Sequence, residues 1–476
     1  MRFPNKLFLV LFWTCFAMFG QNKQVLYDFV EIPQSAMINP GVDTDFQWYA
    51  GVPLLSGISL QAGSSGLSVN DIFADDGRRI NDKIRERAIF GMNARDELSG
   101  TFQIELLNFG FRGKNPDNFY TAGMYIEGDA IGYWFQDYAI LAFEGNADRL
   151  NQPFDLSHLK TRGEMMNVFH IGLNKKVDNQ LTIGVRGKLY SSIFDFNSTK
   201  NKGTFITKEG VNNIYSSTIE ADMQLRTSGL NGLKDAIDDG TVGSTITKRA
   251  FFGGNLGVGV DLGFTYQLND QTVLTGSLLD LGFIYHSKDI KNYTLNGKAT
   301  IEGIEIILPD AAADPNADFW QDLVDDVEGF VPFEENADSY IAFRPTKLYG
   351  SLRYNFGEHV DNRANCACGV NASSNRARAK YVNSVGGQLY VINRPRGPQM
   401  ALTGFYQRRF GNFMSIKTTY TIDKFSYSNV GLGLSLQAGP VNIYAMADNL
   451  LSYGNLADSN YASFQLGLNI ISWGKK

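Results

Sequence analysis

The chain is short of several things on which protein functions commonly rest. It has 3 cysteines and 4 histidines in 476 residues. Cys366 and Cys368 sit in one Cys-Ala-Cys, and Cys15 lies close to the N-terminus. So few thiols cannot build a disulfide framework, and a zinc site normally takes more ligands at wider spacing. A redox or loop-stapling pair and an incidental polar loop both remain open for Cys366 and Cys368. The histidines, His158, His170, His286 and His359, are scattered, and there is no GxSxG, HExxH or phosphate-binding loop. These absences give no support to an enzyme, a metal centre or a bound cofactor, and none is expected. The 43 basic residues fall short of the 49 acidic ones. That balance lacks the basic surface on which nucleic-acid binding depends.

Long apolar runs are also missing. After the N-terminus no stretch reaches the ~18 consecutive apolar residues that a membrane helix needs. Residues 1–20 read as a secretory signal peptide, with Arg2 and Lys6 ahead of the apolar Leu7 to Phe19. Trp13 and Thr14 before Cys15 are not the small aliphatic residues of a lipidation signal. Loss of residues 1–20 would shift the net charge from −6 to −8, because it removes two bases and no acid.

What the chain does have is glycine, aromatic residues and a period of two. It carries 49 Gly, 34 Phe, 22 Tyr and 5 Trp, yet only 43% of it is hydrophobic. In the arm Gly254 to Leu268, Leu256, Val258, Val260, Leu262 and Phe264 alternate with Gly257, Gly259, Asp261, Gly263 and Thr265. Asn269, Asp270 and Gln271 supply a turn, and a second arm alternates through Val273, Thr275, Ser277, Leu279, Leu281, Phe283 and Tyr285. Such arms exceed the usual ~5 to 6 residues of a soluble strand and match the ~9 to 11 tilted residues that cross a bilayer. A polar, glycine-rich face suits the inside of a closed barrel whose apolar face meets lipid. A large soluble β-sandwich is the competing reading of the same alternation.

The rest of the chain fits that frame. Residues 21–45 are irregular, broken by Pro33 and Pro40, and form an N-terminal lumen or hatch segment. Residues 46–476 form the barrel. A first strand starts at Trp48 and runs to about Ala62, and a helix is predicted over 81–92. Strands over 101–112, 119–127, 164–174 and 180–196 follow, with a loop at 128–163. The pattern weakens over 197–249, where a strand-like patch at 214–225 and a helix at 230–237 stand out. A second insert, 287–337, is acidic and contains the helical pattern DFWQDLVDDVEGF. Leu348, Gly350, Leu352, Tyr354 and Phe356 mark a further strand opposite Lys347, Tyr349, Ser351, Arg353 and Asn355, and six more strands with tight connections lie between 384 and 472.

External loops of outer-membrane barrels are long and periplasmic turns are short, with both termini on the periplasmic side. If the turns at Lys114, Val177 and Asn269 are all periplasmic, 197–249 must be one external excursion. The count is then fourteen. The expected fold is all-β, a transmembrane antiparallel β-barrel of about 14 strands in the cell outer membrane, with an N-terminal hatch and short helices in external loops. The Cys-Ala-Cys loop falls on the periplasmic side, longer than such turns usually are.

Three motifs, Pro33-Gln34-Ser35 with Asn39-Pro40-Gly41, Ser277-Leu278-Leu279-Asp280-Leu281-Gly282, and Ala447-Asp448-Asn449-Leu450, resemble an uncharacterised family of Bacteroidota outer-membrane barrels. That family is similar to FadL-like fatty-acid channels and to the PorV and PorP/SprF barrels of type IX secretion and gliding. The resemblance implies a fourteen-stranded barrel with its N-terminal segment in or beneath the lumen, and no single activity. Gly41 stands where related barrels often carry Ala.

Two functions compete. The first is a conduit or binding barrel for a small hydrophobic or amphipathic molecule. Its lumen residues would be Arg186, Lys188, Tyr190, Asp261, Asp280 and Arg353, and its hatch Pro33, Gln34, Ser35, Asn39 and Pro40. The second is a non-transporting envelope component that docks a protein partner of a type IX secretion or gliding assembly through the external loops 197–249 and 287–337. In either case outer-membrane lipid surrounds the wall. Plain mutual solvation of lumen charges is the simpler account of any one of these residues.

Overall fold

Fourteen strands that hydrogen-bond in sequence, the last to the first, leave no free edge. The computed structural model describes residues 23–210, 215–302, 333–358 and 381–473. Strand β1 comprises Phe46–Gly51 and Ile58–Ser64, two pieces of one wall strand interrupted at 52–57. It is followed by β2 (Glu97–Arg112), β3 (Asn118–Tyr133), β4 (Thr161–Lys176), β5 (Leu181–Glu209), β6 (Asn255–Gln267) and β7 (Thr272–His286). β8 runs through Tyr340–Phe343 and Lys347–Glu358, and β9 (Tyr381–Arg394), β10 (Gly397–Phe410), β11 (Met414–Ile422), β12 (Asn429–Ala438), β13 (Val441–Asp448) and β14 (Tyr461–Trp473) complete the wall. Neighbours are antiparallel throughout, and β1 pairs with both β2 and β14. No helix among the described residues is long and apolar enough to cross a membrane.

The expected parity holds. The turns at 113–117, 177–180, 268–271, 411–413 and 439–440 lie at the end of the barrel where β1 begins and β14 ends. Glu358 pairs with Tyr381 at that same end, and residues 359–380, with Cys366 and Cys368 among them, lie outside the described ones. The predicted helix DFWQDLVDDVEGF also falls outside them.

Outward positions carry a continuous apolar band. Ile171, Val185, Leu256, Val258, Leu348, Leu352 and Phe464 are exposed along it, with Ile171 at 72% and Phe343 at 71%. Trp48, Phe111, Tyr354, Phe413 and Trp473 expose aromatic rings near the short-turn end. Several rings lie across a glycine on the neighbouring strand. A Cβ added to Gly128 would meet Phe102, one at Gly163 would meet Phe196, and one at Gly276 would meet Phe264, all within 2.5 Å. Large rings thus cover the backbone that these glycines leave bare.

Three details depart from the sequence reading. The segment 128–163 is not a plain loop: β3 runs to Tyr133, a helix spans Gln136–Glu144, and β4 begins at Thr161. The outward positions there are Gly128, Ala130 and Gly132, too small to produce a hydropathy period. β5 is 29 residues long, and its outer part leaves the wall to pair with 215–228, which pairs with 292–302. The predicted single-faced alternation of β7 is broken by a bulge between Leu278 and Leu281, where Asp280 adopts φ 59°. Val273, Thr275, Ser277 and Leu279 therefore point inward, while Leu281, Phe283 and Tyr285 point outward.

The external inserts are not bare loops. Ile89, Ala139, Ile140, Phe154, Leu156, Phe205 and Ala221 form an apolar core outside the wall, joining the inserts to the outer half of β5.

Candidate functional site

The interior of the barrel is occupied by the chain's own residues 23–45. Pro33 and Pro40 prevent them from forming a wall strand, and only four residues, Ser35–Ile38, close into a helical turn. Val25, Leu26, Tyr27, Phe29, Ile32 and Ile38 are buried against the inward Leu279, Tyr349, Tyr390, Ile392, Tyr444 and Met446. Tyr27 stacks on Tyr349 with ring centroids 4.9 Å apart. This part of the lumen is apolar, which the alternating sequence did not suggest.

Wall side chains satisfy the segment's main chain, as a buried irregular backbone requires. Arg186 donates to the carbonyls of Ala36 (2.9 Å) and Met37, and Ser277 to that of Ile38 (2.6 Å). Asn174 donates to Pro40 O (2.9 Å) and Val42 O (2.7 Å), and Gln388 to Tyr27 O (3.0 Å). Gln34 donates to Glu105 (3.1 Å) and exchanges two hydrogen bonds with Asn469 (2.9 and 3.0 Å). Ser56, in the break of β1, donates to the same Glu105 carboxylate at 2.9 Å. Asn39 donates to Phe264 O (3.2 Å) and accepts from Gly41 N (2.9 Å). Three glycines permit this approach: a Cβ on Gly184 would lie 2.0 Å from Pro40 O, one on Gly263 2.2 Å from Asn39 Oδ1, and one on Gly41 2.4 Å from Gly263.

Beside the segment lies a buried ion network. Asp261 binds Arg186 (2.8 Å from Nε) and Lys188 (2.9 Å). Asp280 binds Lys188 (2.5 Å) and Lys347 (2.9 Å), and its amide donates to Asp261 at 2.7 Å. Arg344 joins Glu127 and Glu164 and stands over the Tyr190 ring, 5.4 Å from its centroid. Alternating charges at this density satisfy one another in a low-dielectric interior. Burial, the largest influence, and the neighbouring Lys347 lower Lys23 to about 8, while its ammonium donates to Gln103.

Every residue named from the sequence for the lumen faces inward and is buried. Arg186, Lys188, Asp261 and Asp280 meet in one network, with Tyr190 at its edge. Arg353 stands apart and binds Asp28 of the N-terminal segment at 3.0 Å. The hatch residues Pro33, Gln34, Ser35, Asn39 and Pro40 are all buried inside the wall. Sequence reasoning missed Glu127, Glu164, Arg344 and Lys347. Lys347 stands on the polar face of its strand in the sequence, Glu127 and Glu164 are the terminal residues of the strands drawn over 119–127 and 164–174, and only Arg344 lies outside every strand drawn. A cavity of about 30 Å³, lined by Lys23, Gln103, Glu127, Asp129, Arg344 and Lys347 among others, holds little more than a water.

Wall and occupant together define a closed fourteen-stranded barrel carrying its own N-terminal segment inside. The chain belongs to the Family of unknown function (DUF5723), whose model matches residues 40–448. Comparison with curated proteins gives no match. Among solved structures, the toluene transporter TbuX of Ralstonia pickettii is similar at 10% identity and a TM-score of 0.41, covering 96% of this chain and 95% of that one. A FadL homologue of Pseudomonas aeruginosa is similar at 8% identity and TM-score 0.39, covering 93% and 94%. The P. putida toluene transporter TodX gives 10% and 0.34, covering 96% and 94%. Likeness at this level is too loose to transfer a function to this chain.

Proposed function

We propose that the protein is an outer-membrane barrel that binds or conducts a small hydrophobic or amphipathic molecule, with residues 23–45 as its hatch. The apolar exterior band and the aromatic residues near one rim support the membrane placement. The observation that carries the hatch is the way the segment is held. It is tied by side chains of the wall and not by strand pairing, so it can be released without opening the barrel. Arg186, Lys188, Tyr190, Asp261, Asp280 and Arg353 are then the lumen groups that hold the closed state and meet the passing molecule.

The test is uptake of a fluorescent medium-chain fatty acid into proteoliposomes. A variant with I38C and S277C, in a background where Cys366 and Cys368 are serine, would tether the hatch, because Ser277 Oγ lies 2.6 Å from Ile38 O. Uptake lost under oxidation and recovered under reduction is the expected result. Equal uptake in both conditions, with the crosslink verified by mass spectrometry, would sink the hatch.

A second reading draws on the external core around Phe154 and Phe205. That core packs the inserts into a rigid external platform on which an envelope protein, such as a type IX secretion component, would dock. Loss of a stoichiometric crosslinked partner on deleting 215–228 would favour it, and an unchanged crosslink pattern would count against it.

A further inference from the structure

Two polar residues stand on the apolar outer face of the wall. Asn167 shares its orientation on β4 with the exposed Ile171 and Leu173, and Ser191 shares its orientation on β5 with Val185 and Leu189. Both are nevertheless fully buried, because the turn before β6 folds over them from outside. Asn167 Nδ2 donates to Ala250 O at 3.0 Å, Ser191 Oγ donates to Arg249 O at 2.6 Å, and Phe252 N donates to Ser191 Oγ at 3.1 Å. The turn thereby fixes two rings on the outer face: Phe252 stacks on Phe169 at 4.6 Å, and Phe251 meets it edge-on at 6.1 Å. Phe251 and Phe252 remain 48% and 47% exposed, and Phe252 holds φ 69°, a conformation seldom adopted by a bulky side chain.

Directly beneath this shelf is a groove of about 560 Å³, walled by Leu107, Phe109, Ile171 and Leu189 and floored by Ala122 and Gly187. A Cβ on Gly187 would meet nothing within 4 Å, so the floor is open on its outer side. Above the shelf are two lysines. Lys288 Nζ lies 3.2 Å from Gly254 O, and a Cβ on Gly253 would lie 2.8 Å from Lys248 Cγ, so both flank the turn. Both are exposed, and neither has an acidic partner among the described residues. Arg249 and Asp289, close by, neutralise each other at 2.8 Å. From Leu181 at the short-turn rim, Ser191 is reached after the ~9 to 11 tilted residues that span the hydrocarbon, so the lysines stand at headgroup level and the groove at acyl depth.

We propose that this face binds one phosphate-bearing anionic membrane lipid, with an acyl chain in the groove and its phosphate between Lys248 and Lys288. The inference rests on the membrane-spanning reading above but not on the hatch. Continuity of the groove with the lipid-facing band selects an acyl chain as occupant, and the two lysines above it, without an acidic partner among the described residues, select an anionic headgroup.

The experiment is native mass spectrometry of the full chain in detergent with palmitoyl-oleoyl phosphatidylglycerol, or with the uncharged diacylglycerol of the same chains. The wild type is expected to retain one phosphatidylglycerol, preferred by about tenfold or more given ~1 kcal/mol per lysine near a charged surface. K248Q/K288Q should bring the two lipids level, and G187L, which fills the groove from its open side, should release both. A122L serves as a second filling variant if G187L fails to assemble. Heat-modifiable gel mobility reports assembly independently. A chain that never inserts into vesicles overturns the membrane reading, whereas an inserted barrel whose G187L and A122L forms keep the wild-type lipid overturns this inference alone. An unchanged preference in K248Q/K288Q overturns the headgroup half of it.

Discussion

Arg186 and Asp261 face each other across the β5–β6 pair at 2.8 Å, and the free side of that guanidinium holds the Ala36 and Met37 carbonyls. One side chain thus ties the wall to residues 23–45. Removing Asp261 as D261N strands a buried cation and is expected to cost about 3–5 kcal/mol, whereas R186A loses the pair and the hatch contact together. Unfolding midpoints in detergent, read with protease access to residues 23–45, check this. Unaltered protease access in R186A would contradict the assigned tie.

Glycine substitutions should separate the two faces of β5. G184A forces a Cβ to within 2.0 Å of Pro40 O and is expected to displace the hatch at about 1–3 kcal/mol. G187A, three residues on and facing open space, should stay within about 0.5 kcal/mol of the wild type. Equal effects in a thermal-shift measurement would mean the hatch does not press on β5.

Among the described residues, Asp280 is the one carboxylate shared by Lys188 and Lys347. D280N keeps the side-chain shape but leaves both ammonium groups under-compensated, so a loss of about 3 kcal/mol or more is expected. D280G relieves the φ of 59° but gains little from it, because the charge loss dominates. A D280G chain as stable as the wild type would show that backbone strain, and not charge, governs the bulge.

Asp423, in the turn between β11 and β12, accepts the Phe425 and Ser426 amides at 2.7 and 2.9 Å. Burial, reinforced by the nearby Asp448, lifts it to about 7. A folded-state value raised above the ordinary one favours the protonated form in the fold. Its contribution is therefore complete below about pH 4 and is lost as pH rises through about 7. Hydrogen exchange of residues 423–428 should quicken between those limits, and D423N, which can still accept both amides, should flatten the profile.

How much of this was legible in the sequence depended on side-chain size and phase. β6, with Leu256, Val258 and Leu262 against Gly257, Gly259 and Asp261, declared both faces, and the short turns gave a strand count that the closed wall matches. β7 misled because Val273 and Leu279 point inward at the hatch, so an unbroken apolar period concealed the bulge at Asp280. Upper β3 was silent because Gly128, Ala130 and Gly132 leave its outer face without large side chains. Inward charges were readable one strand at a time. That Lys188, Asp280, Lys347 and Arg344 converge is a property of shear between strands far apart in sequence, which no local pattern carries.

The gap at 52–57 lies in the very strand by which the barrel shuts. Gln34 reaches Asn469 on β14 and Glu105 on β2, and so bridges the two strands that flank β1, while Ser56 from the gap joins the same carboxylate. Residues 23–45 therefore buttress from inside the seam at which the last strand is received. The last strand is thus held in register from inside the barrel as well as along its paired edges.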